Sequence, residues 1–270
     1  MHGMSSGSAC VLIGLLLIAQ PASAEDYLNE ARGYYNQELY ELAMKSADLA
    51  RADLTVADEA SLVLARANLE RVRQTHDAAN LAAAREALRG IDASKLSPRS
   101  QADLTVGLGE WLFLGDRYGA AAELFDAALG RADALGPSAR DRVLDWWATS
   151  VDRHAQVTPT HRREIYQRIV DRMDEELRAR AGSTTAAYWL PAAARSLGDL
   201  DRAWTAAIAG WLRARVAPDK GASLRADLDR LVQTAIIPER ARELSGASRD
   251  TREAIDVMTA EWEHLKSEWK

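Results

Sequence analysis

Histidines and acids are the side chains from which a catalytic or metal site would first be built. His76, His154, His161 and His264 lie beyond the N-terminal apolar run. His161 and Glu164 are three apart on a predicted helix, a spacing that sets two ligands on one face. A zinc site needs three or four ligands, and no third follows. His264 with Glu261 or Glu268 has the same shortfall, and no His-Glu-x-x-His is present. The acids Glu164, Asp174 and Glu176 each precede an arginine by four residues (Arg168, Arg178 and Arg180). Acid-first pairs at that spacing stabilise a solvated helix face by about 0.2–0.5 kcal/mol each. Arg162-Arg163, with Arg168 and Arg172, forms a basic patch suited to an acidic partner or a lipid headgroup. No G-x-S-x-G, P-loop or G-x-G-x-x-G occurs. The expectation is no catalytic residue, no metal and no cofactor.

The elements that must position these side chains are helical. The chain has 270 residues, 47% of them hydrophobic and 27% charged, enough to build a core and too apolar for disorder. Ala, Leu, Arg and Glu dominate, which favours helix. Val11 to Ala19 is an apolar run too short for a membrane span of about 20 residues. Pro21 follows it, and Ala22-Ser23-Ala24 matches a signal-peptidase site, although no Lys or Arg precedes the run. Residues 1–24 are thus expected to be a signal peptide cleaved after Ala24, with an uncleaved anchor as the alternative and a periplasmic or secreted destination. Cys10 is the single cysteine, so cleavage leaves a chain without disulfides or thiols. The net charge of −6 falls entirely beyond residue 24 and argues against general nucleic-acid binding.

Turn signals cut residues 25–246 into paired helices, with no alternating strand pattern. The sharpest pair runs from Leu108 to Leu129. It resembles the tetratricopeptide-repeat family: Leu108-Gly109 match the Leu-Gly of its first helix, and Gly115-Asp116 match its turn. Tyr118 matches the aromatic opening its second helix, and Ala121, Phe125 and Ala128 the small, aromatic and small positions that follow. The turn holds one residue more than the family pattern. Antiparallel helices approach closely where small residues face each other, and Gly109, Ala121 and Ala128 supply that clearance. Gly115 suits a positive φ at the helix end, and Asp116 can cap the next helix. Ala43, Ala83 and Ala203 fall at positions equivalent to Ala121, giving a period near 40 against about 34 for the family. A related helical-hairpin array with longer helices is therefore the competing fold. Ser97-Pro98 and Thr158-Pro159 read as helix caps followed by Pro, Gly136-Pro137 as a break, and Pro238 as a helix start or interruption.

The predicted fold is all-α: about six antiparallel hairpins in an α-solenoid, then a C-terminal capping or docking helix over 247–270. The resemblance implies a right-handed superhelix whose groove, lined by the first helix of each hairpin, receives a protein or peptide. That groove would draw on residues 28–35, 60–73, 104–113, 143–151 and 185–195, with Trp147 and Arg195 as candidate partner contacts. Ile255, Met258, Trp262, Leu265 and Trp269 form one apolar stripe, so Trp262 and Trp269 are expected either to cap the array or to dock a partner or second copy. The function expected is an exported scaffold or adaptor without catalysis. Two alternatives stand beside it: a cell-wall glycan-acting enzyme or accessory domain with a buried Glu in a cleft, and an oligomeric structural protein assembling through the C-terminal helix.

Overall fold

A computed structural model describes residues 22–131, 136–245 and 251–269. The leader run, Cys10 and the 246/247 boundary lie outside the described residues. The helices are α1 (Ala24–Asn36), α2 (Tyr40–Ala50), α3 (Ala57–Thr75), α4 (Ala78–Arg89), α5 (Pro98–Leu114) and α6 (Tyr118–Leu129). They continue as α7 (Pro137–Val157), α8 (Arg162–Ala179), α9 (Thr184–Leu197), α10 (Leu200–Arg213), α11 (Ala222–Leu231), α12 (Ile237–Ser245) and α13 (Thr251–Glu268). Among the described residues there is no strand, so the fold is all-α, with helices packed in consecutive hairpin-like contacts. Each odd-numbered helix from α1 to α9 also touches the next odd-numbered one.

Local sequence sets these boundaries. The Ser97 hydroxyl accepts from Ser100 N–H with Pro98 at the first helical position, as its sequence predicts. Ser23 and Asp26 form a reciprocal capping box at α1. Cleavage after Ala24 would remove that Ser23 cap. Thr158 is not a side-chain cap; Pro159 instead opens a 3₁₀ turn (Pro159–His161) before α8. Pro238 has no N–H to donate, and the chain widens into a π-helical turn (Val232–Ile236) just ahead of it.

The hairpin turns repeat in detail. Arg117 N–H donates to Leu112 O at 2.8 Å, Leu39 N–H to Tyr34 O at 2.9 Å, and Asp199 N–H to Ala194 O at 3.0 Å. This aligns Ala43, Ala121 and Ala203, each four residues past its turn residue and each fully buried. From acceptor to donor the three turns are equally long, and in each the residue before the donor is left-handed. What differs is which residue stands there. Gly198 takes φ +81°, and Asp199 caps α10. Gly115 falls one residue too early and has φ −95°, so Asp116 takes φ 60°, and its carboxylate accepts from the Tyr118 hydroxyl rather than capping α6. Glu38 repeats this with φ 61°. Ala83 is exposed; Ala84 is the buried small residue of α4, one position later than the repeat spacing predicts.

The core is a row of local clusters. Leu62, Leu64, Leu88 and Leu104 fill the first, and Phe125, Leu144, Ile169 and Met173 the middle. Trp204, Trp211, Ile236 and Trp262 fill the last. Phe125, Ala121 and Ala128 are buried, whereas Leu108 and Tyr118 are half-buried at the edge of the packing. The acid-first pairs are mostly replaced by contacts between helices. Arg168 bonds Glu123, Arg202 takes Asp174, and Arg172 takes Asp126. Only Glu176–Arg180 forms as spaced, and Glu176 is 3% exposed, gripped by the Arg140 guanidinium as well. Burial would raise the Glu176 pKa, but hydrogen bonds from Arg180 and Arg140 bring it below the usual value.

Trp262 is wholly buried, and its indole N–H donates to Asp229 at 2.8 Å. The stripe on α13 thus packs on the last cluster, and Trp262 is not exposed for a partner. Trp269 is 39% exposed; the Arg215 guanidinium lies over its ring and Arg225 bonds its carbonyl.

Two variants test this packing by urea denaturation. A Cβ on Gly109 would lie 2.8 Å from the Phe125 ring, whereas one on Gly107 makes ordinary contact with Leu88 at 3.5 Å. Gly109→Ala is expected to cost about 1–3 kcal/mol, and Gly107→Ala to gain up to about 1 kcal/mol from helix propensity. Equal effects of the two would refute the close approach. Trp262→Ala is expected to cost about 3–5 kcal/mol; a loss below about 1 kcal/mol would mean that α13 is not part of the core.

Candidate functional site

Four cavities open along the odd-numbered helices. The first, about 540 Å³, lies between α1, α3 and α5 and is lined by Arg32, Tyr35, Arg66, Arg99 and Asp103 among others. The second, about 600 Å³, is lined by Arg73, Phe113, Arg142, Asp145 and Trp146. The third, about 300 Å³, shares Asp145, Thr184 and Thr185 with the second and adds Tyr188 and Asp227. The fourth, about 360 Å³, shares Tyr188 and adds Asp152, Tyr166, Trp189 and Arg195. The second and third share three lining residues and the third and fourth share Tyr188, so the last three adjoin along α7, α9 and α11 and are together called the cleft. Its walls include residues of the expected stretches 143–151 and 185–195 together with Asp219, Asp227 and Leu231, which lie outside them.

The lining side chains are held in place by their neighbours. The Trp189 indole N–H donates to Asp145 at 2.7 Å, and the Tyr166 hydroxyl to Asp152 at 2.7 Å. Arg195 forms a two-point bond with Glu239, which fixes one edge of its guanidinium at the cleft. The Trp146 ring meets Phe113 edge-on at 5.0 Å and stacks on Phe125 at 5.8 Å, with the Arg73 guanidinium 5.0 Å above it.

Of the two groove contacts expected from sequence, Arg195 lines the cleft and Trp147 does not. Trp147 is 3% exposed, and Arg172 of α8 covers its ring. Its neighbour Trp146 reaches the cleft instead. Consecutive residues point about 100° apart on a helix. Trp147 belongs to the buried stripe of Val143, Leu144 and Val151, and Trp146 to the stripe of Asp145, Thr149 and Asp152. Reading the α7 period alone would have made this distinction.

Sequence reasoning missed Glu110. It is the one charged residue between Asp103 and Asp116, set in the apolar run of α5, and is only 7% exposed. Arg66, Glu70 and Arg73 of α3, Asp103 of α5 and Tyr35 of α1 make up its electrostatic surroundings. Burial pushes its carboxyl up to about 7, against the pull of Arg66 and with the push of Glu70. Burial likewise pushes the Tyr35 hydroxyl up to about 12. The Arg66 guanidinium lies 4.8 Å from the Tyr35 ring centre, its Nη1 is 3.6 Å from Asp103, and its buried Nε has no hydrogen-bond partner. Arg73 bonds Glu70 at 3.1 Å. Glu110 lines neither the first nor the second cavity, whereas Arg66 lines the first and Arg73 the second.

No group of three or more His, Cys, Asp or Glu among the described residues is arranged to hold a metal ion. No described helix is long and apolar enough to cross a membrane. No protein-family model, curated protein or solved structure matches the chain.

The Glu110 carboxyl imposes a pH dependence on stability. Unfolded, it titrates near 4.5; folded, near 7. Between these values the native state binds more protons, so stability falls as pH rises through that window, by up to about 3 kcal/mol. Glu110→Gln is expected to flatten this fall and to be more stable than the parent at pH 8, with the gap closing towards pH 5. Denaturant titrations at several pH values measure it; parallel pH curves for the two proteins would show that Glu110 ionises freely in the fold.

Proposed function

We propose that this chain is an exported scaffold or adaptor. In this reading its hairpins form a tetratricopeptide-like right-handed solenoid, and a protein or peptide partner lies in the groove of the odd-numbered helices. The odd-numbered helices from α1 to α11 touch in sequence, whereas of the even-numbered ones only α10 and α12 make a comparable contact. Closer spacing on one face is what a curved array needs, with that face inside. The observation that carries the reading is the row of adjoining cavities over α7, α9 and α11. Trp146, Trp189, Tyr166 and Arg195 in their walls are held by second side chains, so little of their side-chain entropy remains to be lost on binding. The mechanism is display of a preorganised surface, with no bond made or broken. Export and cleavage after Ala24 are part of the proposal.

A second reading has one observation in its favour. Glu110 is a buried carboxyl whose raised pKa suits a general acid for glycoside hydrolysis. It lines neither adjacent cavity, which leaves a glycosidic oxygen without a path to it. Assembly through the C-terminal stripe has less in its favour, because Met258 and Trp262 are buried in their own chain.

Cross-linking capture from the source cells with tagged full-length protein tests the groove. The paired variant Arg142→Glu with Asp227→Arg reverses two cleft charges and is expected to lower recovery of the partner at least about tenfold, the scale of one lost hot spot, with helicity by circular dichroism unchanged. Undiminished recovery would exclude the cleft as the binding surface. Recovery of glycan in place of protein would move the assignment to the second reading. The intact mass of the captured chain reports cleavage after Ala24.

A further inference from the structure

The cavity between α1, α3 and α5 stands apart from the cleft: none of its lining residues lines any of the other three cavities. Its walls carry three arginines, Arg32, Arg66 and Arg99, and two acids, Glu59 and Asp103. Arg32 and Glu59 close on each other at 2.8 Å. Arg66 and Asp103 do not: Nη1 stays 3.6 Å from the carboxylate, beyond hydrogen-bond length. A guanidinium carries five N–H donors along its edge. The Tyr35 ring, 4.8 Å away, takes the flat face of Arg66 and none of those donors. Among the described residues Arg66 makes no hydrogen bond, and its Nε is buried without a partner. Nor does the Arg99 side chain have an ion pair or hydrogen bond among them. The Ser97 and Ser100 hydroxyls lie 2.9 Å apart, and whichever donates leaves the other's hydrogen unused. Leu62, Val63 and the Tyr35 ring add apolar surface. The cavity therefore gathers donors and lacks an acceptor, and a covered cation without acceptors is costly.

We infer that this cavity binds a small organic monocarboxylate, its carboxylate on Arg66 and Arg99 and its apolar body against Leu62, Val63 and the Tyr35 ring. The charge of the walls sets the class. Three arginines against two acids leave one positive charge, which a carboxylate balances and a dianionic phosphate overshoots. The planar fork of a guanidinium also matches a carboxylate at two points. Volume sets the size. About 540 Å³ falls within the range of about 300–1,000 Å³ typical of small-molecule pockets and far exceeds a carboxylate group alone, so the ligand brings a body with it. Separation sets the source. A peptide lying along the array would run on from one cavity to the next, as the adjoining cavities of the cleft allow, whereas this one shares no wall with them. The inference is independent of the groove reading.

The test is a nuclear magnetic resonance titration of the full chain with sodium hexanoate at pH 7 and constant ionic strength. It follows the Arg66 Nε–Hε signal and the Arg99 and Ser100 amides. The expected result is a saturable shift with a half-point of about 1–10 mM, the scale for so small a ligand. Hexanamide, which has the body without the charge, is expected to produce no shift, and acetate, which has the charge without the body, to bind at least about tenfold more weakly. Arg66→Lys keeps the charge and loses the fork, and Arg99→Gln loses the charge on an exposed side chain. Each is expected to weaken hexanoate about tenfold, with helicity by circular dichroism unchanged; Arg99→Gln carries the comparison if Arg66→Lys does not fold. A shift that does not saturate, that hexanamide reproduces, or that neither variant weakens would overturn the site. Tighter binding of inorganic phosphate would overturn the carboxylate assignment. Tighter binding of an acetylated tetra-alanine peptide with a free C-terminus would overturn the small-molecule one. The charge reversal in the cleft is expected to leave hexanoate binding unchanged, so failure of the groove and failure of this site are told apart.

Discussion

The ring of Phe125 lies so close to the backbone of Gly109 that a Cβ there would come within 2.8 Å. Gly210 makes the same kind of approach on α10, where an added Cβ would meet Leu228 at 3.0 Å and the Ala187 carbonyl oxygen at 3.1 Å. Pro191 lies four residues beyond Ala187 in α9 and has no N–H, so that carbonyl lacks its usual intrahelical donor. The α10 backbone can approach it because residue 210 has no side chain. These close approaches fix the rotation of each helix about its axis. Once Ala43, Ala121 and Ala203 must face a partner helix, the polar stripes of α3, α5, α7 and α9 have one direction left to point, and the cavities form where those stripes meet.

The two faces are held together in different ways. On the odd-numbered side, backbones are close and the links are short: Trp189 to Asp145, and Ser183 to Asp141. On the even-numbered side, long arginines bridge α6 to α8, α8 to α10 and α10 to α12 through Asp126, Asp174 and Asp201. Partly exposed pairs of this kind contribute about 1 kcal/mol or less each, so they set spacing and register more than they set stability. Glu176 is the exception. It is buried, and removing Arg140 would leave it with Arg180 alone among the cations it now bonds.

Much of this was legible in the chain. Helical period, the Ser97-Pro98 start and the small residues after each turn predicted the hairpins, because each acts within a few residues. Gly115 was expected to take the positive φ, but the hydrogen bond from residue 117 to residue 112 puts the left-handed conformation one residue later, on Asp116. Trp147 was misread because an aromatic pair was weighed by residue type rather than by its place in the α7 stripe. The arginine pairs were misread because i,i+4 spacing says nothing of a better acid on the neighbouring helix. Glu110 was hidden for a different reason: its significance depends on Arg66 and Arg73, some forty residues earlier, and only packing brings α3 and α5 together.

A buried acid in the apolar run of α5 is the kind of local rule-breaking that a stable helical array does not need. Leu or Gln at residue 110 would fill much the same space without the penalty above neutral pH. The buried acid Glu176 shows the other solution: two arginines bond it directly, and its carboxyl is held below the usual range where that of Glu110 is pushed above it. The same fold thus neutralises one buried carboxylate by pairing and leaves the other to burial, and only the second makes stability fall as pH rises through neutrality.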